Sequence, residues 1–180
     1  MKPYLLGITG GIGSGKSTVS KIFEVLGLKI YQSDDMAKYF MENDNKLISS
    51  IINSFGEESY IDGKINKEYI SQNVFYDKEK LKTINNLVHP VVINDFKKWC
   101  LINKNEKILI KEAALLFESK SYEELDFLIY VYAEKKLRIS RILKRDSYRT
   151  KDQIEHIIKS QLTDKESFEK ADYILENNEV

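Results

Sequence analysis

The chain is 180 residues long, 42% hydrophobic and 31% charged, a length that suits one domain and a composition that excludes a disordered chain. Its 28 basic side chains balance 28 acidic ones, which excludes a global attraction to nucleic acid or to an anionic membrane. Any polyanion handled here must therefore meet a local positive site. Cys100 is the single cysteine, so an intramolecular disulfide is impossible and a reducing compartment is expected. The opening run "PYLLGI" is too short and too soon broken by glycine for a signal peptide, and no apolar run is long enough to span a bilayer. A soluble, cytoplasmic chain is the expectation.

Residues 4–9, "YLLGIT", form a nearly continuous apolar run, as a strand buried on both faces of a parallel sheet requires. From Lys16 to Leu26, Val19, Ile22, Phe23 and Leu26 recur at helical spacing, and Gly27 is placed to end the helix. "LKIYQ" (28–32) reads as a second strand, and Ser33 as the N-cap of a helix that opens "DDMAKYF". Strand, helix and strand within about 30 residues make a βαβ unit. From about Met36 to Asn103 the pattern turns helical, as in "NKLISSIINSF" and "KLKTINNLVHPVVINDFKKWCLI", with the turn-rich "GEESYIDGKIN" between them. Strands return at "KILIKE" (107–112), "DFLIYVYA" (126–133) and "ADYILEN" (171–177); "EKKLRISRILKRD" and "KDQIEHIIKSQL" lie between the last two with helical period. The alternation predicts an α/β fold: an open parallel sheet flanked by helices, with helical material inserted between the second and third strands. No internal repeat or flexible linker interrupts it.

Gly10-Gly11-Ile12-Gly13-Ser14-Gly15-Lys16-Ser17 satisfies G-x-x-x-x-G-K-[ST], and Thr18 follows. Glycines permit the backbone angles that turn successive N–H groups inward, and they carry no side chain to obstruct a phosphate. The loop ends at a helix N-terminus, whose unpaired N–H groups and dipole favour anions. Lys16 adds a full positive charge, and the Ser17 hydroxyl is a ligand for Mg²⁺. A dinucleotide loop would need a further glycine, an acid after the second strand and no lysine; "YQSDD" offers acids, but the G-K-S-T run fits a nucleoside triphosphate better. Small-molecule kinases, GTPase switches and ATPase motors all use such a loop. A guanine-specific N-K-x-D is missing, since "VYAEKK" follows the relevant strand. "ILIKEAALLFE" offers a motor's metal-binding acid only in Glu112, off pattern.

The acids that stand out come early, at Asp34 and Asp35. In a parallel sheet a residue after the second strand lies beside the loop after the first, where phosphoryl transfer to a hydroxyl needs a carboxylate to orient the nucleophile and take its proton. Both acids would also suit a helix N-terminus for its dipole alone. Arg138, Arg141, Arg145 and Arg149 form one helical stripe: either a solvated face or a lid whose guanidiniums neutralise charge on a transferred group. Lys144 lies off the stripe. His89-Pro90, inside an apolar helical stretch, suggests a helix start or kink, with His89 either structural or in contact with the substrate. Glu118 suits either the crevice or a capping role.

Taken in order, "GITGGIGSGKSTVS", "SDDMAK", "DGKINKEYI", "NNLVHPVV", "LLFE", "RILKRD" and "ADYILENN" resemble bacterial dephospho-CoA kinases over residues 4–178. The resemblance implies a P-loop NTPase-type three-layer fold and transfer of the ATP γ-phosphate, with Mg²⁺, to the ribose 3′-hydroxyl of dephospho-CoA. It also implies a nucleotide-binding core (about 1–35, 104–133 and 161–180), a helical substrate-binding insertion (about 36–103) and a small helical lid (about 134–160). It places the base on Asp34 and the lid arginines on Arg141 and Arg145, with Gly10 to Thr18 holding the nucleotide. The chain departs from the family pattern with Gln32 for an acid, Lys38 for an arginine, Ala114 for a proline and Arg138 for a frequent glutamine. Dephospho-CoA is the expected partner, with no nucleic acid or membrane. Another P-loop kinase acting on a nucleoside, nucleotide or small hydroxyl substrate, and a non-catalytic ATP-sensing module, are the alternatives that remain open.

Overall fold

The computed structural model describes residues 2–75, 77–146 and 149–178. It divides into two compact units, Met1–Gln32 with Ile102–Val180, and Ser33–Leu101.

The first unit is built on five parallel strands: β1 (Tyr4–Thr9), β2 (Lys29–Gln32), β5 (Ile108–Glu112), β6 (Phe127–Tyr132) and β7 (Tyr173–Glu176), in spatial order β2-β5-β1-β6-β7. Because side chains alternate across a strand, β6 feeds both faces. Ile129 and Val131 join Ile8, Ile110 and Val19 on the face covered by helix α1 (Lys16–Val25). Leu128 and Tyr130 join Ala113, Leu116 and Phe117 on the other. Double coverage explains why these strands read as unbroken apolar runs. The chain leaves β1 toward β2 on one side and later builds β6 and β7 on the other. This makes the C-terminal end of β1 a switch point, where parallel α/β sheets open a crevice.

Helix α1 ends as its sequence predicts. Gly27 takes φ +87°, and the N–H groups of Gly27 and Leu28 return to the carbonyls of Glu24 and Phe23. Helices α6 (Lys135–Arg145), α7 (Lys151–Ser160) and α8 (Asp164–Lys170) lie between β6 and β7. Helix α8 lacks a periodic apolar pattern, but Thr163 and Glu166 close a capping box at its start.

The second unit contains α2 (Ser33–Asn43), α3 (Asn45–Phe55), a hairpin of β3 (Tyr60–Ile61) and β4 (Lys64–Ile65), α4 (Lys67–Phe75) and α5 (Lys78–Ile102). Helix α3 buries Leu47, Ile51 and Phe55, and α5 buries Ile84, Val88, Val92 and Phe96, each a stripe at four-residue spacing. The "turn-rich" stretch is this hairpin: Asp62 and Gly63 both take positive φ (50° and 75°), the two-residue turn that matches strand twist. Tyr60 donates to the Met41 carbonyl at 2.6 Å and Tyr69 to the Phe55 carbonyl at 2.8 Å, tying the hairpin and α4 to the helices. Burial, and then the nearby Glu42, push Tyr60 up to about 12.

Two local expectations are corrected. Ser33 is not an N-cap: β2 runs directly into α2, Ser33 already takes the first helical position, and its buried Oγ has no hydrogen-bond partner among the described residues. Pro90 does not start a helix. It sits exposed inside the 25-residue α5, away from the buried stripe, which excludes the start and leaves the kink as the expectation for this position.

Candidate functional site

The loop after β1 is held in shape by its own backbone and by side chains from the last third of the chain. The Ser14 N–H donates to the Gly11 carbonyl at 3.1 Å, closing a tight turn, and the N–H groups of Thr18 and Val19 both reach the Gly15 carbonyl. Gly13 and Gly15 take φ of +79° and +98°, angles that cost an L-residue about 1–2 kcal/mol. Gly15 is the N-cap of α1 and supplies no side-chain cap. The helix therefore begins with backbone donors aimed at whatever occupies the loop. Lys16 is buried and its Nζ donates to the Gly10 carbonyl at 2.9 Å, which folds its ammonium back over the loop. The Ser17 and Thr18 side chains, in the first turn of α1, are exposed.

Four further side chains grip this loop; two of them, Arg138 and Arg141, belong to the arginine stripe the sequence singles out, and only Arg141 is among the lid arginines the family resemblance implies. Gln161 Oε1 accepts from the Ile12 N–H at 2.9 Å. Asn177 Nδ2 donates to the Ser14 carbonyl at 2.9 Å, and an Arg141 terminal N–H reaches the same oxygen at 3.4 Å. Arg138 is buried, and its guanidinium lies where a Cβ on Gly11 would stand. An ion pair of 3.5 Å anchors Arg138 to Asp164, whose same carboxylate oxygen accepts from the Tyr130 hydroxyl at 2.8 Å. Burial and that hydrogen bond push Tyr130 up to about 12, so it remains a donor. Between Gly10–Gly11, Phe117–Glu118 and Gln161–Leu162 lies a small hollow of about 10 Å³.

The other arginines of the stripe differ. Arg145 forks onto its neighbour Asp146 with two contacts of 2.8 Å, and Arg149 adds a third at 3.3 Å. Together they hold the Asp146 carboxyl below the usual carboxylate range, the Arg145 hydrogen bond contributing most. Asp34 and Asp35 occupy the first turn of α2, one and two residues past the helix start; both are exposed, and Asp35 pairs with Lys38 at 2.7 Å. Glu112 ends β5 level with Ile8 and Gln32, buried at the C-terminal edge of the sheet. His89 lies half-buried within α5. Glu118 is exposed and accepts from the Leu162 N–H at 3.1 Å, just ahead of α8. Among the described residues, no group of three or more His, Cys, Asp or Glu side chains could hold a metal ion, and no helix is long and apolar enough to cross a membrane.

A loop of this geometry, on a five-stranded parallel sheet, has counterparts among known proteins. The family model for dephospho-CoA kinase matches residues 4–180. The chain belongs to the dephospho-CoA kinase family. The Fusobacterium nucleatum dephospho-CoA kinase is 38% identical over 99% of this chain and 91% of its own length. A solved dephospho-CoA kinase from Campylobacter jejuni superposes with a TM-score of 0.68 at 28% identity, covering 98% of this chain and 89% of that one. A Thermus thermophilus crystal structure reaches 0.86 at 27% identity, covering 99% and 91%. Members of this family are kinases of the P-loop fold. Within it, the residues missed by sequence reading are Gln161, Asp164 and Asn177. Gln161 and Asn177 directly follow α7 and β7 and Asp164 opens α8; the contact each makes with the loop or with Arg138 depends on a partner far away in sequence.

Proposed function

We propose that this dephospho-CoA kinase family member moves the γ-phosphate of ATP onto the ribose 3′-hydroxyl of dephospho-CoA, giving coenzyme A and ADP. The observation that carries the reading is the loop itself: Gly13 and Gly15 at positive φ, the α1 N-terminus that opens at Gly15, and the folded-back Lys16, on a chain the family model matches over residues 4–180.

Phosphoryl transfer of this kind asks the protein for positioning and charge rather than covalent chemistry. The loop amides and Lys16 hold the β- and γ-phosphates in this reading, and Arg141, on the loop's outer wall, meets the charge that develops on the transferred group. Arg145 joins it by exchanging Asp146 for phosphate. The exposed Ser17 hydroxyl, in the first turn of α1, suits a hard cation that keeps most of its waters, and Thr18 stands beside it. Bound there, Mg²⁺ neutralises phosphate charge. Asp34 follows β2, which ends on the same sheet edge as β1. It accepts the 3′-hydroxyl proton as the new O–P bond forms, and the bond from γ-phosphorus to the bridging oxygen breaks to release ADP. Residues 36–103 supply the acceptor site, and 134–160 act as a lid.

The test is an acceptor panel. Purified protein with Mg-ATP should release ADP rapidly with dephospho-CoA and only at background rates with nucleosides, nucleotides or small hydroxy acids. Faster turnover with another acceptor would reassign the substrate, and ATP binding without turnover on any acceptor would make this a sensing module.

A further inference from the structure

The Ser14–Gly15 peptide is the weak point of the loop. Its plane carries the Ser14 carbonyl on one side and the Gly15 N–H on the opposite side, so turning one outward turns the other inward. A glycine on the C-terminal side removes the steric penalty that would otherwise fix that plane, because glycine populates positive and negative φ with similar ease. The peptide needs an external hold, and the structure provides one: Asn177 Nδ2 donates to the Ser14 carbonyl at 2.9 Å. Arg141 approaches the same oxygen at 3.4 Å, a longer and weaker contact.

The side chain that does this is aimed from rigid backbone. The Asn177 N–H donates to the Tyr132 carbonyl at 2.8 Å, continuing the β6–β7 ladder by one residue. Asn178 Oδ1 accepts from the Glu134 N–H at 2.9 Å, at the start of α6. Between these anchors the Asn177 amide is pressed over Gly15, on the spot a Cβ would take. Only an NH₂ can donate to a carbonyl here; an aspartate could not.

We propose that Asn177 is a positioning residue for the phosphate loop: by holding the Ser14 carbonyl outward it fixes the Gly15 N–H toward the phosphates. The inference rests on the reading of this loop as a triphosphate site. The probe that isolates it is inorganic tripolyphosphate with Mg²⁺, which has no base or sugar for Asn177 to touch.

Titration calorimetry of tripolyphosphate, and the Gly15 amide resonance in ¹H–¹⁵N spectra, are measured on wild type, Asn177→Ala and Asn177→Asp. Wild type should bind the probe with a large downfield shift of the Gly15 N–H. Asn177→Ala should bind about tenfold more weakly, the scale of one hydrogen bond lost from a backbone carbonyl. Asn177→Asp should bind more weakly still, with the Gly15 shift much reduced and the KM for dephospho-CoA unchanged in both variants. Asn177→Ala adds no charge and carries the test if Asn177→Asp fails to fold. Binding by both variants within twofold of wild type with an unaltered Gly15 shift overturns the proposal. So does a loss confined to Mg-ADP, which would place the contact on the nucleoside. Absence of tripolyphosphate binding by wild type itself would instead overturn the triphosphate reading beneath it.

Discussion

Gly11 offers a prediction whose size follows from one neighbour. Its φ is not among the positive ones, so the backbone would accept alanine. What forbids alanine is the Arg138 guanidinium, which occupies the place of the missing Cβ. Arg138 is 4% exposed and tied to Asp164, so it cannot swing into solvent without breaking the pair and opening a gap. Overpacking alone costs about 1–3 kcal/mol. Losing the ion pair adds to it, although Asp164 at 34% exposure keeps that part well below the figure for a fully buried pair. The sum for Gly11→Ala is about 2–3 kcal/mol, or a melting point lower by about 5–10 °C for a chain of this size. Arg138→Ala should also destabilise, by leaving Asp164 without its cation. The double variant should be little worse than Arg138→Ala alone, because the new methyl enters vacated space. Thermal or denaturant unfolding of the three variants gives the coupling, expected to exceed about 1 kcal/mol for residues in contact. Additive losses would refute the reasoning and point to another cause for glycine at this position.

Other outcomes follow from the same arrangement. Lys16→Met should weaken Mg-ATP binding and depress turnover by orders of magnitude with little change in melting temperature, checked by calorimetry and steady-state rates; unchanged ATP affinity would remove Lys16 from the phosphate site. Asp34→Asn should cut kcat by orders of magnitude while leaving ATP binding nearly intact, and normal turnover would exclude it as the base. Tyr130 carries a pH signature. Its folded value of about 12 lies above the ordinary 10, so its contribution is fully present below pH 10 and is lost as pH rises toward 12. Tyr130→Phe should flatten the fall in stability over that window, measured by denaturant unfolding at a series of alkaline pH values.

The legible parts of this molecule are those with local, periodic or motif signals. Strands such as "ILIKE" and "FLIYVY" stand out because both sheet faces are covered, and the loop from Gly10 to Ser17 stands out because its chemistry is sequential. Gly27 marks a helix end that only positive φ can make. The Asp62-Gly63 hairpin and the Thr163-Glu166 capping box had short signals of their own that longer apolar patterns overshadow. Ser33 misled because a good capping residue matters only where the chain arrives with room for a cap, and β2 leaves none. The brace on the loop is another matter. Gln161 meets Ile12 across 149 residues and Asn177 meets Ser14 across 163, and such pairings exist only once the sheet has formed. Arg138 illustrates the same limit: on the helix it reads as one of four equivalent arginines, yet burial against Gly11 sets it apart from the exposed Arg145.

The central claim is phosphoryl transfer to one hydroxyl of one acceptor. Purified protein incubated with Mg-ATP and dephospho-CoA, with the product examined by mass spectrometry and ³¹P NMR, tests it directly. The account predicts an acceptor heavier by one phosphoryl group, carrying a new monoester on the ribose 3′-oxygen, with ADP formed in equal amount. Unmodified dephospho-CoA in the presence of bound ATP, or a phosphate on any other position, would contradict it.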